Sequence, residues 1–251
     1  MNFSYELLGQ SGVFLSFDNF RVLVDPYLSD YVKHLEGPTR ARLQPINPDP
    51  STVVNVDLIC VTHEHCDHCD IWTLGKIAKA SPKAKFLCPA VCEPILLEAG
   101  IERERILLAQ QQPLVIEAVG LEISWLPAAH PTIEYDSNGF LKMLGYVFSS
   151  DSVSVYHAGD TSVCDELISA LREVGPIDLA FLPVNEDNYF RRRDNIIGNM
   201  SIRDAFMLAD ELNIKSVVPV HWDMFEVNGA YWEEIELIYS KRNFGFELRR
   251  H

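Results

Sequence analysis

Cysteine is scarce in this sequence, with six residues in 251, which is too few for a disulfide-stabilised scaffold. A reducing compartment would keep most of them as thiols. The cysteines are predicted to be mainly small buried hydrophobic residues, and they are Cys60, Cys66, Cys69, Cys88, Cys92 and Cys164.

Long apolar runs are also missing. No segment approaches the roughly 20 apolar residues that a membrane-spanning helix needs. The first residues, MNFSYELLGQSGVFLSF, lack the basic and then apolar segments of an export signal. We therefore expect a cytoplasmic location and no membrane partner.

Positive charge is in short supply as well. The chain has 21 basic and 36 acidic residues, a formal net charge of -15, which disfavours binding to nucleic acid. The one compact basic cluster is Arg191, Arg192 and Arg193. Its simplest interpretation is a solvent-exposed loop.

The composition itself is that of a globular protein. Hydrophobic residues make up 47% and charged residues 23%, enough apolar material for a sizeable core. No composition shift marks a boundary, so residues 1–251 are predicted to form a single domain.

Short β-branched runs alternate with helical patterns, which predicts a mixed α/β (α+β) fold. An opening antiparallel meander is predicted at 3–8, 12–17 and 20–25. Further strands are predicted at 56–63, 85–88, 114–118, 121–127, 143–149, 152–157, 178–183 and 215–220. Helices are predicted at 71–80, 91–99, 163–173, 201–212 and 231–240.

Three features refine these predictions. Asp70, Ser162 and Ser201 have the residue type and position of helix N-caps, the two serines each with an aspartate three residues later. The stretch 27–56 has no clear periodicity and is interpreted as a functional lid or an insert. His34 and His251 are interpreted as ordinary surface or hydrogen-bonded histidines.

Polar residues recur where apolar strands end. Ligands gather at such edges because a rigid scaffold positions the side chains there. The residues in question are Asp25, His63, His130, Asp160 and His221.

The stretch VTHEHCDHCD at 61–70 carries most of the chemistry. Imidazole nitrogens and carboxylate oxygens are ligands for divalent metals, and this loop offers enough of them for two neighbouring ions. His63 and His65 are predicted to face one ion, and Asp67 and His68 the other. Asp160 is predicted to bridge the two, with His130 and His221 completing the sites.

Two further residues are predicted to support the ligands. Asp25 is expected to orient a ligand histidine, the alternative being a turn-capping role before Pro26. His157 is expected either to support the site or simply to pack in the core. Glu64 is expected to point away from the ions.

The pattern T-H-E-H-C-D-H, with later AAH, AGD and PVH segments and an early V-D-P, resembles the signature of the metallo-β-lactamase superfamily. Within it, LGQSGVFLSF, LVDPYL, VYHAGDT, NYFRRRDNIIGNMS and KSVVPVHWDMF are similar to L-ascorbate 6-phosphate lactonases. The resemblance implies a four-layer αβ/βα sandwich, metal-dependent hydrolysis, and manganese or zinc in the site. It also permits a homo-oligomer.

The predicted function is hydrolysis of a small anionic lactone, such as a phosphorylated sugar-acid lactone, by a metal-activated hydroxide. Asp67 and Asp160 are then metal ligands, either of which could also assist proton transfer, and Arg191, Arg192 and Arg193 are candidates for phosphate contact. Two alternatives remain open. One is hydrolysis of a small phosphodiester at the same site, and the other is a non-catalytic metal or redox protein that uses Cys66 and Cys69.

Overall fold

The computed structural model describes residues 1–110 and 113–250, so His251 lies outside the described residues. The described strands form a six-stranded and a seven-stranded sheet. The helices pack on the outer faces of these sheets or lie in loops, and they are α1 (Tyr31–Glu36), α2 (Ile71–Ala80), α3 (Glu93–Glu98), α4 (Asp165–Val174), α5 (Tyr189–Arg193), α6 (Ile202–Glu211) and α7 (Trp232–Ser240). None of the described helices has the length and apolar character needed to cross a bilayer.

The first sheet follows chain order from β1 to β6. Its strands are β1 (Phe3–Gly9), β2 (Gly12–Phe17), β3 (Phe20–Val24), β4 (Leu58–Cys60), β5 (Lys85–Cys88) and β6 (Ile106–Leu108). The first three pair antiparallel, as the sequence predicts, and β3 to β6 pair parallel.

The second sheet also follows chain order, from β7 at one edge to β13 at the other. Its strands are β7 (Leu114–Ile116), β8 (Leu121–Pro127), β9 (Leu144–Ser149), β10 (Ser154–His157), β11 (Leu179–Pro183), β12 (Ser216–Val220) and β13 (Glu247–Leu248). Strands β7 to β10 pair antiparallel, and β10 to β13 pair parallel.

The two sheets face each other across a shared apolar core. Phe17 of β2 packs against Phe148 of β9 with ring centroids 6.1 Å apart, and Tyr5 of β1 meets Phe181 of β11 at 5.2 Å. Because side chains alternate along a strand, Val147 points the other way, into the core between the second sheet and helices α4, α6 and α7.

The outer face of the first sheet is covered in the same manner. Ile59 of β4 and Phe86 of β5 pack against Leu74 and Ile77 of α2 and Leu96 of α3. The order of layers is therefore helix, sheet, sheet, helix, and the predicted αβ/βα sandwich is confirmed.

The helix starts test the capping predictions. The Asp70 carboxylate accepts hydrogen bonds from the backbone N–H groups of Trp72 and Thr73, and Ser201 forms a reciprocal capping box with Asp204. The prediction for Ser162 was wrong. The chain is still extended there, with the Ser162 N–H bonded to the Ala129 carbonyl, and α4 begins three residues later.

The stretch 27–56 holds more regular structure than its sequence indicates. It contains α1 and short 3-10 turns at Pro38–Arg40 and Pro50–Thr52. The Arg42 guanidinium donates to the carbonyls of four residues along it and ties the segment together: Tyr27, Ser29, Gln44 and Pro45.

Candidate metal centre

The polar residues that follow β4, β8, β10 and β12 meet at one edge of the sandwich. Their ligand atoms form two groups, within each of which all atoms lie no more than 4.8 Å apart. The first group is His63, His65, His130 and Asp160, and the second is Asp67, His68 and His221. The structure thus brings together the seven side chains that the sequence indicated as ligands.

Asp160 connects the two groups. Its Oδ1 lies 3.3 Å from His68 Nε2, while its Oδ2 lies 3.3 Å from His221 Nε2 and 3.5 Å from His130 Nε2. In the second group, Asp67 Oδ2 lies 3.3 Å from His221 Nε2. The carboxylate of Asp160 therefore faces both groups at once.

Several atoms in this centre are buried without a hydrogen-bond partner. They include His63 Nε2, His68 Nε2 and Asp160 Oδ1. Leaving a buried polar group unsatisfied costs about 1–3 kcal/mol. A divalent cation would satisfy imidazole nitrogens and carboxylate oxygens together, so the residues fit a metal site.

The electrostatics divide the histidines into two kinds. Burial lowers the pKa of His63 well below its ordinary value and that of His130 to about 4, so both rings are neutral at neutral pH. Burial also acts on His221, but the Asp160 and Asp67 carboxylates outweigh it and raise its pKa to about 9. The Asp160, Asp67 and Asp25 carboxylates likewise outweigh burial at His68 and raise its pKa well above its ordinary value, so the metal-free centre holds protons on both His68 and His221.

The backbone leading into Asp160 depends on a glycine. Gly159 has φ +61°, and a Cβ at this position would lie 2.8 Å from the Thr62 Cβ. His157, predicted to support the site, bonds through Nε2 to the Ser11 carbonyl at 2.7 Å and accepts from the Gly159 N–H at 3.2 Å. It touches the turn that carries Asp160 and belongs to neither ligand group.

Asp25 lies directly beneath the loop at residues 61–70. Its Oδ2 is 2.7 Å from His68 Nδ1 and accepts from the Thr62 hydroxyl, while its Oδ1 accepts from the Thr62 N–H. With His68 Nδ1 held in this way, the ring's Nε2 is directed at Asp160.

Gln10 was missed by the sequence interpretation. It lies in the turn between β1 and β2 with φ +55°, and its Nε2 is 2.6 Å from Asp67 Oδ2 and 3.0 Å from His221 Nε2. The backbone carbonyl of Gln10 also accepts a hydrogen bond from the backbone N–H of His221. One glutamine in a hairpin turn has no periodicity or spacing that distinguishes it, and only its place in LGQSGVFLSF could have drawn attention to it.

A cavity of about 210 Å³ opens above the centre. Its floor includes His65, Asp67, His130, Asp160 and His221. Its walls come from three segments that are far apart in the chain. They are represented by Val32, Glu36 and Arg40, by Asn195, Ile196 and Ile197, and by Phe225, Val227 and Asn228. The irregular stretch 27–56 thus contributes a wall of the site.

The arginine cluster is not part of this cavity lining among the described residues. Arg192 pairs with Asp187, and the Arg193 guanidinium lies over the Phe190 ring. Arg191 donates to the carbonyls of Glu186 and Gly229. The three arginines thus have different partners, and their contact with a phosphate stays a prediction.

The other residues of the loop occupy different environments. Glu64 is exposed, as expected. Cys69 is buried in the core beneath the first sheet, whereas Cys66 reaches the cavity. Burial raises the pKa of the Cys66 thiol to about 12, so it stays protonated at neutral pH.

The comparisons with known proteins agree with this geometry. A family model described as a β-lactamase superfamily domain matches residues 20–222. A UPF0173 metal-dependent hydrolase of Aeropyrum pernix is 31% identical over 193 residues, covering 70% of this chain and 69% of that protein.

Other relatives are longer or more distant. An uncharacterized protein of Mycobacterium tuberculosis is 26% identical over 227 residues, which cover 90% of this chain, and the chain spans only 60% of that protein's length. The structure of Igni18, a novel metallo hydrolase from Ignicoccus hospitalis, superposes with a TM-score of 0.70 at 22% identity, covering 99% of this chain and 94% of Igni18. The fold, the two ligand groups joined by Asp160 and the match over residues 20–222 lead to one conclusion: the chain belongs to the metallo-β-lactamase superfamily.

Proposed function

We propose that this protein is a metal-dependent hydrolase that binds two divalent ions, Mn²⁺ or Zn²⁺, and opens the ring of a small anionic lactone. The observation that carries the proposal is the position of Asp160, whose Oδ2 lies near both His130 of the first ligand group and His221 of the second. A carboxylate shared in this way allows two ions to bind side by side. The name of the Aeropyrum pernix relative, a metal-dependent hydrolase, supports the same class.

The donor set suits either metal. Imidazole nitrogens favour zinc among the common divalent ions, and carboxylate oxygens are equally acceptable to manganese. When bound, the ions would supply a water of lowered pKa as nucleophile and polarise the carbonyl oxygen of the lactone.

The chain's own residues position these groups and move protons. Asp67 and Asp160 are held as carboxylates, because His68 and His221 together outweigh the effect of burial and keep the pKa of both below the ordinary range. Either can take a proton from the nucleophilic water and return it to the departing ring oxygen. Asp67 is 17% exposed against 5% for Asp160, so it is more accessible to solvent and substrate.

The non-enzymatic alternative finds less support in the geometry. No cysteine belongs to either ligand group among the described residues. A metal or redox function of Cys66 and Cys69 would need thiolates, and one thiol is buried in the core while the other has a raised pKa.

The test couples metal analysis to activity. The purified protein is assayed for bound metal by mass spectrometry and then, loaded with Mn²⁺ or Zn²⁺, against lactones, phosphodiesters and phosphorylated sugar-acid lactones. Lactone hydrolysis that disappears in D160N and persists in D151N, a change in the exposed turn before β10, supports the proposal.

Other outcomes would contradict it. Phosphodiester cleavage without lactone opening would favour the alternative function, hydrolysis of a small phosphodiester at the same site. Lactone opening that survives D160N would refute the mechanism, because no other carboxylate among the described residues faces both groups.

A further inference from the structure

The cavity above the metal centre has a second cavity beside it. This outer cavity has a volume of about 420 Å³. The two share Arg40, Ile196 and Val227 in their linings, so they adjoin along one wall. A substrate that occupied both cavities would pass these three residues.

Arg40 stands at the junction. Its side chain is only 17% exposed, with Nε 3.2 Å from Glu36 Oε2 and one terminal nitrogen 3.4 Å from the Asp194 carbonyl. A guanidinium has five N–H donors, so about three remain for a ligand. Glu36 and Asp194 thus fix the orientation of the group without using all of its donors.

Arg191 lines the outer cavity as well. Its side chain is partly buried, and its hydrogen-bond partners are the neutral carbonyls of Glu186 and Gly229. Among the described residues, no carboxylate is in direct contact with its guanidinium, and Glu186, Asp187 and Glu234 act on its charge only at longer range. By contrast, Arg192 pairs with Asp187, and Arg193 lies 3.8 Å from Asp194.

The rest of the outer lining is largely apolar. Phe190, Ile196 and Val227 surround the two guanidinium groups, with Thr39 and Asp194 as the other members. The lining brings two guanidinium groups against one carboxylate, that of Asp194, in a chain with net charge -15. The cavity is therefore locally less acidic than the protein as a whole.

We propose that the outer cavity is an anion subsite, in which Arg40 and Arg191 bind a carboxylate or phosphate group of the substrate while the hydrolysable bond lies at the metal centre. This inference rests on the proposed function and specifies its substrate class, a lactone with an anionic group remote from the ring carbonyl. It also assigns a role to the stretch 27–56, which delivers Arg40.

The test measures binding of ring-opened acids to the metal-loaded protein by titration calorimetry. Gluconate has no second anionic group, glucarate has a carboxylate at the far end, and 6-phosphogluconate has a phosphate there. We expect the two ligands with a second anionic group to bind at least about tenfold more tightly than gluconate, in line with charge-assisted hydrogen bonds to arginine. The stronger of the two identifies the anion.

The variants separate the arginines. R40M should remove most of the tenfold preference for the second anionic group, which corresponds to about 1.4 kcal/mol. It should leave gluconate affinity within about twofold, because gluconate has no second anionic group for Arg40 to bind. R193M, the matched change in an arginine outside both cavities, should leave all three affinities unchanged. R191M should weaken the preference and R191K should retain much of it, with circular dichroism confirming that each variant is folded.

The outcomes also separate this inference from the proposed function. Equal binding of the three acids, no binding of any of them, or equal losses for all three in R40M would overturn the anion subsite. Selective binding of the two acids with a second anionic group, without hydrolysis of the corresponding lactones, would keep the subsite and reject the lactonase proposal.

Discussion

The Nδ1 atom of His68 lies 2.7 Å from the Oδ2 atom of Asp25, and both side chains are fully buried. This contact fixes the ring so that Nε2 faces Asp160 at 3.3 Å. Partners of this kind set both the orientation and the basicity of a metal-binding histidine.

Replacing that carboxylate should weaken metal binding. In D25N we expect the metal affinity to fall about ten- to a hundredfold, the usual effect of losing a partner behind a ligand. Competition with a chromophoric chelator measures it. D70N is the matched control, since Asp70 is also a buried carboxylate but caps α2, and it should lower the melting temperature and leave the affinity unchanged. Wild-type affinity in D25N would contradict this role.

Gln10 contacts the second ligand group from the opposite side. Its Nε2 donates to Asp67 Oδ2 at 2.6 Å, so Q10A should leave that carboxylate less well held. We expect about a tenfold loss of affinity for the more weakly bound ion, by the same principle of ligand support. Two-step binding isotherms measure this loss, with Q44A as a control on an exposed glutamine. Unchanged second-step affinity would show that Asp67 needs no such support.

Metal binding should depend on pH through His221. Burial alone would lower its pKa, but the neighbouring Asp160 and Asp67 raise it from 6.5 to about 9 in the metal-free protein. A metal needs neutral rings, so binding at pH 7.5 must release this proton and that of His68, whose pKa is also raised, and apparent affinity should rise up to about tenfold per pH unit for each proton released below pH 9. Calorimetry in buffers of different ionisation enthalpy counts the released protons. A binding heat independent of buffer at pH 7.5 would contradict the prediction.

The cysteines of the loop should be dispensable for metal. In C66S and C69A we expect wild-type metal content, because no thiol belongs to either ligand group among the described residues. C69A should lose some stability, on the order of 1 kcal/mol, from the small cavity left in the core. Metal analysis beside H63A and H221A, which should both lose metal, gives the comparison. Loss of metal in C66S would favour the thiol-based alternative.

Ser201 and Ser162 form a natural pair for measuring a helix cap. S201A removes a side chain that accepts from the Asp204 N–H and should cost about 1 kcal/mol in the free energy of unfolding. S162A changes a serine that caps no helix in the structure and should cost much less. Urea denaturation of both variants measures the difference, and equal losses would show that the cap of α6 contributes little.

The sequence indicated the fold through its long periodic elements. The hairpins of β1 to β3 and helices α2 and α6 were predictable because local alternation or a cap specifies each of them. The short α1, α5, β6 and β13 were not predicted, because two to six residues carry too little periodicity.

For the metal centre, the sequence by itself determined the set of candidate residues. Four of them, His63, His65, Asp67 and His68, share one short loop, where spacing alone shows that they are neighbours. The distant partners His130, Asp160 and His221 could be named because each follows an apolar strand.

Tertiary structure alone decided which atoms meet. Three findings depend on contacts between segments far apart in the chain. Asp160 faces both ligand groups, and Gln10 reaches Asp67. Arg40 lines the cavity above the metal centre, whereas Arg192 and Arg193 do not. Strand alternation and loop spacing are local properties that sequence records directly, whereas the direction of a side chain from a turn is set by the packing of the two sheets around it.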